Sequence, residues 1–263
     1  MSDFVLGNRD IGYFSSFTGG SWKSAFPIRM LNRELITAVA RSTTIPSVSD
    51  ITFDFNLKYN IDIEVFGLVN HNLTSTGTYR FQLFSDIGRT SQVYDSGTIT
   101  VGIFFDAIKH KTNCHVMTSS INSLYARLTL SDPSNTDGYF ELGRVFVGER
   151  FYPNRNMTYG MKFGVDDSNS SILESESGIE HFVIYPKKRT VNFSFKHINN
   201  EKSIEYSKMQ LSDGVIGACL FEFDPSDWQE GVRTFLCRNT ALDPLDYNAY
   251  NLNSLSMKLT EVI

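Results

Sequence analysis

The chain has 263 residues, a formal net charge of −5 and 13% aromatic residues. Its 41% hydrophobic and 20% charged residues are typical of a globular protein with a substantial core, in one large β domain or two smaller ones. Because acidic residues outnumber basic ones, a surface that neutralises phosphates is disfavoured, and we expect no nucleic-acid partner. The 21 Phe and 12 Tyr residues favour the half-buried surfaces of β-sheets.

The cysteines and the N-terminal residues indicate where the chain is made. Cys114, Cys219 and Cys237 cannot all pair within one chain, which predicts reduced thiols and not a disulfide framework. The first residues lack a cationic stretch followed by an apolar one, so we expect no signal peptide. The longest uncharged apolar run, residues 214–221, is too short for a membrane span. We therefore expect synthesis in the cytoplasm and no membrane insertion.

Residues 1–47 show no steady hydrophobic period. Glycines and a proline interrupt them, and aromatic residues are scattered among them. This pattern predicts an N-terminal arm that packs on something else, with an ordinary wrap around its own domain as an equal alternative. Within the arm, Trp22, Phe26 and Arg41 are the predicted assembly contacts.

From residue 48 the hydrophobic period becomes two. Residues 51–57, 61–65, 79–83 and 124–130 alternate between apolar and polar side chains, as strands with one buried face do. Turn-like segments separate them. Several short strands at roughly 10-residue spacing predict a β-sandwich or jelly roll over residues 48–150.

A second β-rich unit is predicted for residues 151–263. Strand-like patterns recur in it, and Asn199 or Asn200 is placed to cap a short helix at 201–211, which Asp213 and Gly214 would end. The predicted fold is therefore all-β with minor α: a β-sandwich or jelly roll, followed by a second β-rich assembly domain with one short helix. The boundary is predicted near residue 150.

One segment matches a catalytic motif. Residues 93–99, with the sequence VYDSGTI, place Asp95 in the Asp-Ser-Gly context of aspartic proteases. That chemistry requires two aspartates that share one proton, and the chain has a single copy of the motif. A homodimer would be needed to supply the second. The alternative is a strand end that closes in a turn, which we favour.

Metal-binding patterns are weak. His110 and His115 flank Cys114, but no second cysteine pair stands nearby in the sequence. Residues 132–138 offer oxygen ligands at alternate positions, yet they lack the acidic spacing of a calcium loop, and a solvated hairpin loop is the favoured interpretation. We predict no catalytic residue, no cofactor and no metal ion, and hence a protein that is not an enzyme.

Aromatic side chains offer a different kind of site. Exposed rings on a jelly roll can stack on the apolar faces of a sugar while polar neighbours hold its hydroxyl groups. The predicted glycan platforms are Trp22, Trp228, Tyr59, Tyr94 and Tyr125. Burial in the core is the alternative for most of them.

Several short motifs carry a resemblance to known proteins. They are VARST at 39–43, TFDF at 52–55, LVNHNL at 68–73, YDSG at 94–97, GRVFVG at 143–148 and KRTVNFSF at 188–195. Residues 39–198 with these motifs resemble tail-tip proteins of tailed bacteriophages, of the distal-tail or baseplate type. The first half is similar to galactose-binding-like jelly rolls of the discoidin type.

This resemblance implies a non-enzymatic virion protein. Such a protein would form a homo-oligomeric ring, join the tail tube to baseplate or fibre proteins, and reside in the virion after synthesis in the host cytoplasm. Its implied partners are copies of itself and other phage tail proteins. The alternative function is a carbohydrate-binding module that recognises a host-surface glycan.

Overall fold

A computed structural model describes residues 4–174, 180–225 and 231–263. The described residues form strands, one α-helix and two short 3-10 helices. The strands are β1 (Val5–Asn8), β2 (Ser16–Gly19), β3 (Ala40–Arg41), β4 (Ile51–Asn56), β5 (Asp62–His71), β6 (Thr78–Phe84), β7 (Gln92–Asp95), β8 (Ile99–Thr100), β9 (Thr112–Asn122), β10 (Tyr125–Ser131), β11 (Glu141–Arg150), β12 (Lys162–Asp166), β13 (Ser171–Glu174), β14 (Glu180–Val183), β15 (Lys188–Ile198), β16 (Ala218–Glu222), β17 (Thr234–Asn239), β18 (Asp246–Ala249) and β19 (Leu252–Glu261). Helix α1 spans Asn200–Asp213, and the 3-10 helices span Gly12–Phe14 and Ile28–Asn32.

The first half of the chain folds as a two-sheet sandwich. One sheet has the order β2-β4-β10-β6-β7, with β8 also paired to β6, and strands β11, β5 and β9 face it. Alternate residues of both layers fill the core between them; Phe66 on β5 stacks on Phe81 on β6 with their ring centroids 4.2 Å apart. The predicted β-sandwich is confirmed, because period-two strands such as β4 and β10 bury one face against the opposite sheet.

The second half is also β-rich, as predicted. Strands β12, β15, β19, β17 and β16 form a sheet, and α1 packs Tyr206 and Met209 into its core. The helix begins as the sequence predicts, because the Asn199 side chain accepts a hydrogen bond from the Lys202 backbone N–H at 2.9 Å. It ends at Gly214, whose φ is +57°. Within the described ranges, no helix is long and apolar enough to cross a membrane.

The N-terminal segment belongs to both halves. Strand β1 lies between β11 and β16, so the two halves share one sheet with the order β12-β15-β19-β17-β16-β1-β11-β5-β9. Phe4 and Leu6 enter the core of the second half, whereas Val5 packs in a third cluster with Phe146 of β11. The described part of residues 1–47 therefore wraps around its own molecule, the alternative to a free arm. The unit limits 48–150 and 151–263 stay predictions.

The loop before β11, residues 132–138, confirms one part of an expectation and corrects another. Five of its seven residues are exposed, as in a solvated loop, whereas Asp132 and Asn135 are 0% and 2% exposed. The flanking strands β10 and β11 do not pair with each other, so the loop does not close a hairpin. The Asp132 carboxylate accepts hydrogen bonds from the Thr74 backbone N–H and hydroxyl, both at 2.6 Å. The Asn135 amide donates to the Asn72 carbonyl at 3.0 Å. Its oxygen ligands are thus used to fasten two loops together.

Candidate functional site

A cavity of about 600 Å³ lies where the N-terminal segment meets the second half of the chain. The two sides come from residues far apart in the sequence. Its lining consists of Arg9, Asp10, Ile11, Tyr13, Phe14, Glu34, Tyr59, Arg144, Ser212, Asp213, Ile216, Gly217, Ala218 and Arg238.

A buried ion pair fixes the first wall. The guanidinium of Arg144 on β11 lies 2.6 Å from the carboxylate of Asp10, and both side chains are almost fully buried. Asp10 also accepts a hydrogen bond from the Gly12 backbone N–H at 3.0 Å. The Arg144 guanidinium packs on the Tyr13 ring, 4.7 Å from the centroid of that ring. The pair therefore holds the 3-10 helix Gly12–Phe14 against the sheet.

Close backbone approach requires the glycine in this 3-10 helix. A Cβ atom at Gly12 would lie 2.1 Å from the Val145 carbonyl oxygen, well inside van der Waals contact. Because residue 12 has no side chain, the helix can lie directly on β11. This contact places Tyr13 and Phe14 at the cavity.

Aromatic rings form the rim of the cavity. Phe14 is 50% exposed and Tyr59, in the turn between β4 and β5, is 44% exposed. Their rings meet edge to face with centroids 5.9 Å apart. The Lys58 ammonium lies 5.2 Å from the Tyr59 centroid and 5.6 Å from that of Phe14. This arrangement leaves two aromatic surfaces facing solvent beside polar groups.

The end of α1 supplies the opposite wall. The Asp213 carboxylate accepts a hydrogen bond from the Arg9 backbone N–H at 3.1 Å and another from the Ser212 hydroxyl at 3.0 Å. Arg9 has a positive φ of +50° and its guanidinium pairs with Glu149 at 2.6 Å. Arg9 and Asp213 are 204 positions apart in the sequence, and their hydrogen bond joins the N-terminal wall of the cavity to the wall at the end of α1.

Two further charged groups face the cavity. Arg238 on β17 is half-buried, its Nε has no hydrogen-bond partner, and no carboxylate of the described residues forms an ion pair with it. Glu34 is exposed and has no ion pair within the described ranges. The cavity therefore offers the Glu34 carboxylate as an acceptor and the Arg238 guanidinium as a donor beside the aromatic rim. Neither group is used in an ion pair with another described residue.

The structure brings one predicted glycan platform, Tyr59, into this cavity. Tyr94 lies elsewhere, half-buried on β7, with its hydroxyl 2.7 Å from His115 Nε2. Tyr125 is half-buried on β10, with its ring centroid 6.0 Å from the Arg89 guanidinium. Trp228 lies outside the described residues. As glycan platforms, Trp22, Tyr94, Tyr125 and Trp228 stay predictions.

The three predicted assembly residues lie together, away from the cavity. Trp22 bridges to Ser42, and its indole N–H donates to the Gly19 carbonyl at 3.0 Å. The Arg41 guanidinium lies 4.4 Å from the Phe26 ring centroid and pairs with Glu141 at 2.6 Å. Each of the three therefore has an intramolecular contact, and their role in assembly stays a prediction.

Asp95 has a structural partner. Arg80 on β6 donates two hydrogen bonds to its carboxylate, one of them at 2.8 Å, and the Gly97 backbone N–H donates a third at 2.9 Å. These bonds, chiefly those from Arg80, lower the pKa of Asp95 to about 2. The carboxylate is thus held as an anion at a strand end that turns at Gly97.

The histidines near Cys114 do not converge. His110 lies 3.1 Å from the Asn70 side chain, whereas His115 bonds to Tyr94. Burial raises the pKa of the Cys114 thiol well above its usual value. Within the described ranges, no three His, Cys, Asp or Glu residues are grouped so as to hold a metal ion.

Four lining residues of the cavity are not predicted as site residues from the sequence: Tyr13, Phe14, Asp213 and Arg238. The one available signal was the adjacent pair of aromatic residues next to Gly12. The sequence predicts Asp213 at the end of the helix, and it does lie there. Nothing in the sequence indicated that the end of this helix would face the N-terminal segment.

No protein-family model matches the chain, and no curated protein sequence matches it. Solved structures do match it. The family 32 CBM from C. perfringens NanJ, solved in complex with galactose, is 12% identical with a TM-score of 0.40, over 55% of this chain and 99% of that module. Chitosan-binding module 1 from the chitosanase/glucanase of Paenibacillus sp. IK-5 is 18% identical with a TM-score of 0.40, over 54% and 99%. XRCC1 bound to the DNA pol beta catalytic domain is 12% identical with a TM-score of 0.39, over 55% and 98%. Carbohydrate-binding modules are thus among the solved structures to which this chain is similar.

Proposed function

We propose that the chain binds a neutral carbohydrate, without bond-making chemistry, in the cavity between Tyr59 and Asp213. The observation that carries this proposal is the pair of exposed rings, Phe14 and Tyr59, at the rim of a cavity whose lining includes charged side chains. Sugars present apolar C–H faces that stack on aromatic rings and hydroxyl groups that both donate and accept hydrogen bonds. Asp213 and Glu34 supply acceptors, and Arg238 supplies donors.

Size and charge favour a neutral ligand. The cavity volume of about 600 Å³ falls within the range of small-molecule sites. Its lining contains three arginines, Arg9, Arg144 and Arg238, and three acidic residues, Asp10, Glu34 and Asp213. Because the formal charges cancel, a ligand with a net charge gains no overall electrostatic attraction. A neutral glycan with hydroxyl groups satisfies both kinds of polar group.

A glycan panel tests this proposal. We expect the protein to bind one or more neutral oligosaccharides, measured by calorimetry, and Tyr59→Ala to weaken that binding about tenfold or more, which is ~1.4 kcal/mol. Phe14→Ala should act in the same direction. Tyr159→Ala is the matched control, because Tyr159 is 92% exposed and does not line the cavity. An unchanged affinity in Tyr59→Ala, at unchanged melting temperature, would contradict the proposed site.

The second candidate function is structural, as a component of a bacteriophage tail tip. The sequence resemblance and a projecting hairpin with exposed apolar residues, β13–β14, favour it. Detecting the chain by mass spectrometry in purified virions would support this function, and its absence from them would oppose it. Truncation is a poor test, since β1 lies inside the long sheet. Phe26→Ala and Arg41→Ala test the predicted contacts in the same particles.

A further inference from the structure

The hairpin β13–β14 projects from the molecule with apolar residues on both faces. Its strands pair with each other, and no other described strand pairs with them. All of its described strand residues are exposed. Ile172 and Phe182 are cross-strand neighbours, 64% and 61% exposed, and Leu173 is 57% exposed. Apolar side chains grouped in this way on a surface mark an interaction site. We call this hairpin the arm.

An apolar groove of about 410 Å³ lies at the base of the arm. Phe105, Ile108, Phe163, Val165, Ile184 and Val232 contribute its apolar lining. Ile184 directly follows β14, so arm and groove form one continuous apolar surface. Lys109 and Lys187 are among its lining residues, and Lys187 pairs with Asp167 at 3.4 Å. We call the cavity with these lining residues, without the arm, the groove.

The charges of the arm complement those of the groove. Glu174 and Glu180 lie directly opposite each other across the two strands. Like charges in this position destabilise a hairpin, and no cation of the described residues forms an ion pair with either of them. Lys109 at the groove likewise has no ion pair within the described part of the chain. An arm with two facing carboxylates, Glu174 and Glu180, and with apolar faces fits a groove that has an apolar floor and the lysine Lys109.

We propose that the arm of one molecule occupies the groove of a second copy of this chain. Arm and groove are neighbours on the same molecule. A two-fold axis between two copies can therefore place the arm of each copy in the groove of the other, so that two equivalent contacts form. In that arrangement Lys109 of each copy would pair with Glu174 and Glu180 of the other copy's arm. The apolar faces of both arms leave water at the same time. This interface does not involve the carbohydrate cavity.

The oligomeric state in solution tests the proposal. We expect sedimentation equilibrium to give a mass twice that of one chain, and Phe182→Asp in the arm or Phe105→Asp in the groove to lower the dimerisation constant at least tenfold. Both side chains are more than half exposed, so neither change is expected to disturb the core. Leu211→Asp on α1, where Leu211 is 87% exposed, is the matched control and should remain dimeric.

Mixing the two variants separates this interface from any other. A pair of Phe182→Asp and Phe105→Asp chains retains one intact arm-in-groove contact, whereas each variant alone retains none. The mixture should therefore form dimers that neither variant forms. Similarly, Glu180→Lys and Lys109→Glu should each weaken association, and the double variant should recover part of it.

Three results would overturn the proposal. The first is a wild-type protein that stays monomeric at all accessible concentrations, including one that instead binds lipid vesicles through the arm. The second is a dimer that Phe182→Asp leaves intact. The third is a mixture of the two variants that stays monomeric, which would mean that the arm does not enter the groove.

Discussion

The carboxylate of Asp10 and the guanidinium of Arg144 lie 2.6 Å apart in the interior of the protein. Asp10 precedes the 3-10 helix that carries Tyr13 and Phe14, whereas Arg144 belongs to β11 of the sandwich. The pair therefore connects the wall of the cavity to the sheet. Two predictions follow from the geometry of this connection.

Removing the carboxylate leaves the Arg144 charge buried without its partner. We expect Asp10→Asn to lower the free energy of unfolding by about 3–5 kcal/mol, measured by urea denaturation. Glu205→Gln removes one partner of the more exposed pair between Lys202 and Glu205, and should cost no more than about 0.5 kcal/mol. Equal losses in the two variants would show that the Asp10–Arg144 pair has no special structural role.

A methyl group at residue 12 has no room against β11. We expect Gly12→Ala to destabilise the protein by about 1–3 kcal/mol, because the chain must move away from the Val145 carbonyl. Gly164→Ala is the control, since its Cβ would meet only the Thr190 hydroxyl, at 3.3 Å. If thermal unfolding shows the two variants to be equally stable, the close approach is not a constraint.

Arg238 is expected to contribute to ligand binding and not to stability. Because it has no ion pair in the described ranges, Arg238→Gln should leave the melting temperature nearly unchanged. The same change should weaken glycan binding about tenfold, because it removes a charged donor from the cavity. Calorimetry with the best ligand of the panel measures this effect. Arg233→Gln is a control, since Arg233 packs on Phe223 and does not line the cavity.

Glu222 predicts a pH dependence of stability. Burial raises its pKa to about 7 in the folded protein, from an ordinary value of 4.5. Because the pKa of Glu222 is higher in the folded protein than in the unfolded chain, this residue does not lower the free energy of unfolding below about pH 4.5. As the pH rises from there to 7, its ionisation lowers that free energy progressively. The full cost is at most about 3 kcal/mol.

Glu222→Gln should therefore remove this loss. The free energy of unfolding of the variant, relative to wild type, is expected to rise between pH 4.5 and 7 and to stay constant above that range. Glu201→Gln, at an exposed position in the first turn of α1, controls for the loss of a carboxylate. A difference between variant and wild type that does not change with pH would contradict the raised pKa.

Asp95 is expected to act as a structural anion. Its lowered folded pKa means that its pairing with Arg80 stabilises the protein above about pH 4, and that this stabilisation is lost as the pH falls toward 2. Asp95→Asn should cost at most about 1 kcal/mol at pH 7, because the pair is partly exposed. Acid titration of both proteins measures the difference. Loss of a peptide-hydrolysing activity in this variant would instead support a catalytic role.

Local sequence determined the secondary structure and the class of fold. The period-two alternation at residues 51–57 and 124–130 gives strands β4 and β10, because alternate side chains must point to opposite faces of a sheet. Asn199 and Gly214 delimit α1 because a capping side chain and a glycine satisfy the helix ends without any tertiary contact. Tyr59 is the one predicted glycan platform that the structure places at the cavity, and its role there stays a prediction.

Tertiary structure alone decided the place of the first residues and the composition of the cavity. Val5 and Leu6 have no periodic context, yet they belong to a central strand, because β11 and β16 both present edges that pair with it. Asp213 meets Arg9 because the pairing of those strands brings the N-terminal segment next to the end of α1. Pairing between residues about 200 positions apart depends on which sheet edges remain free and which surfaces fit together. A short-range pattern of hydrophobic residues carries no information about either.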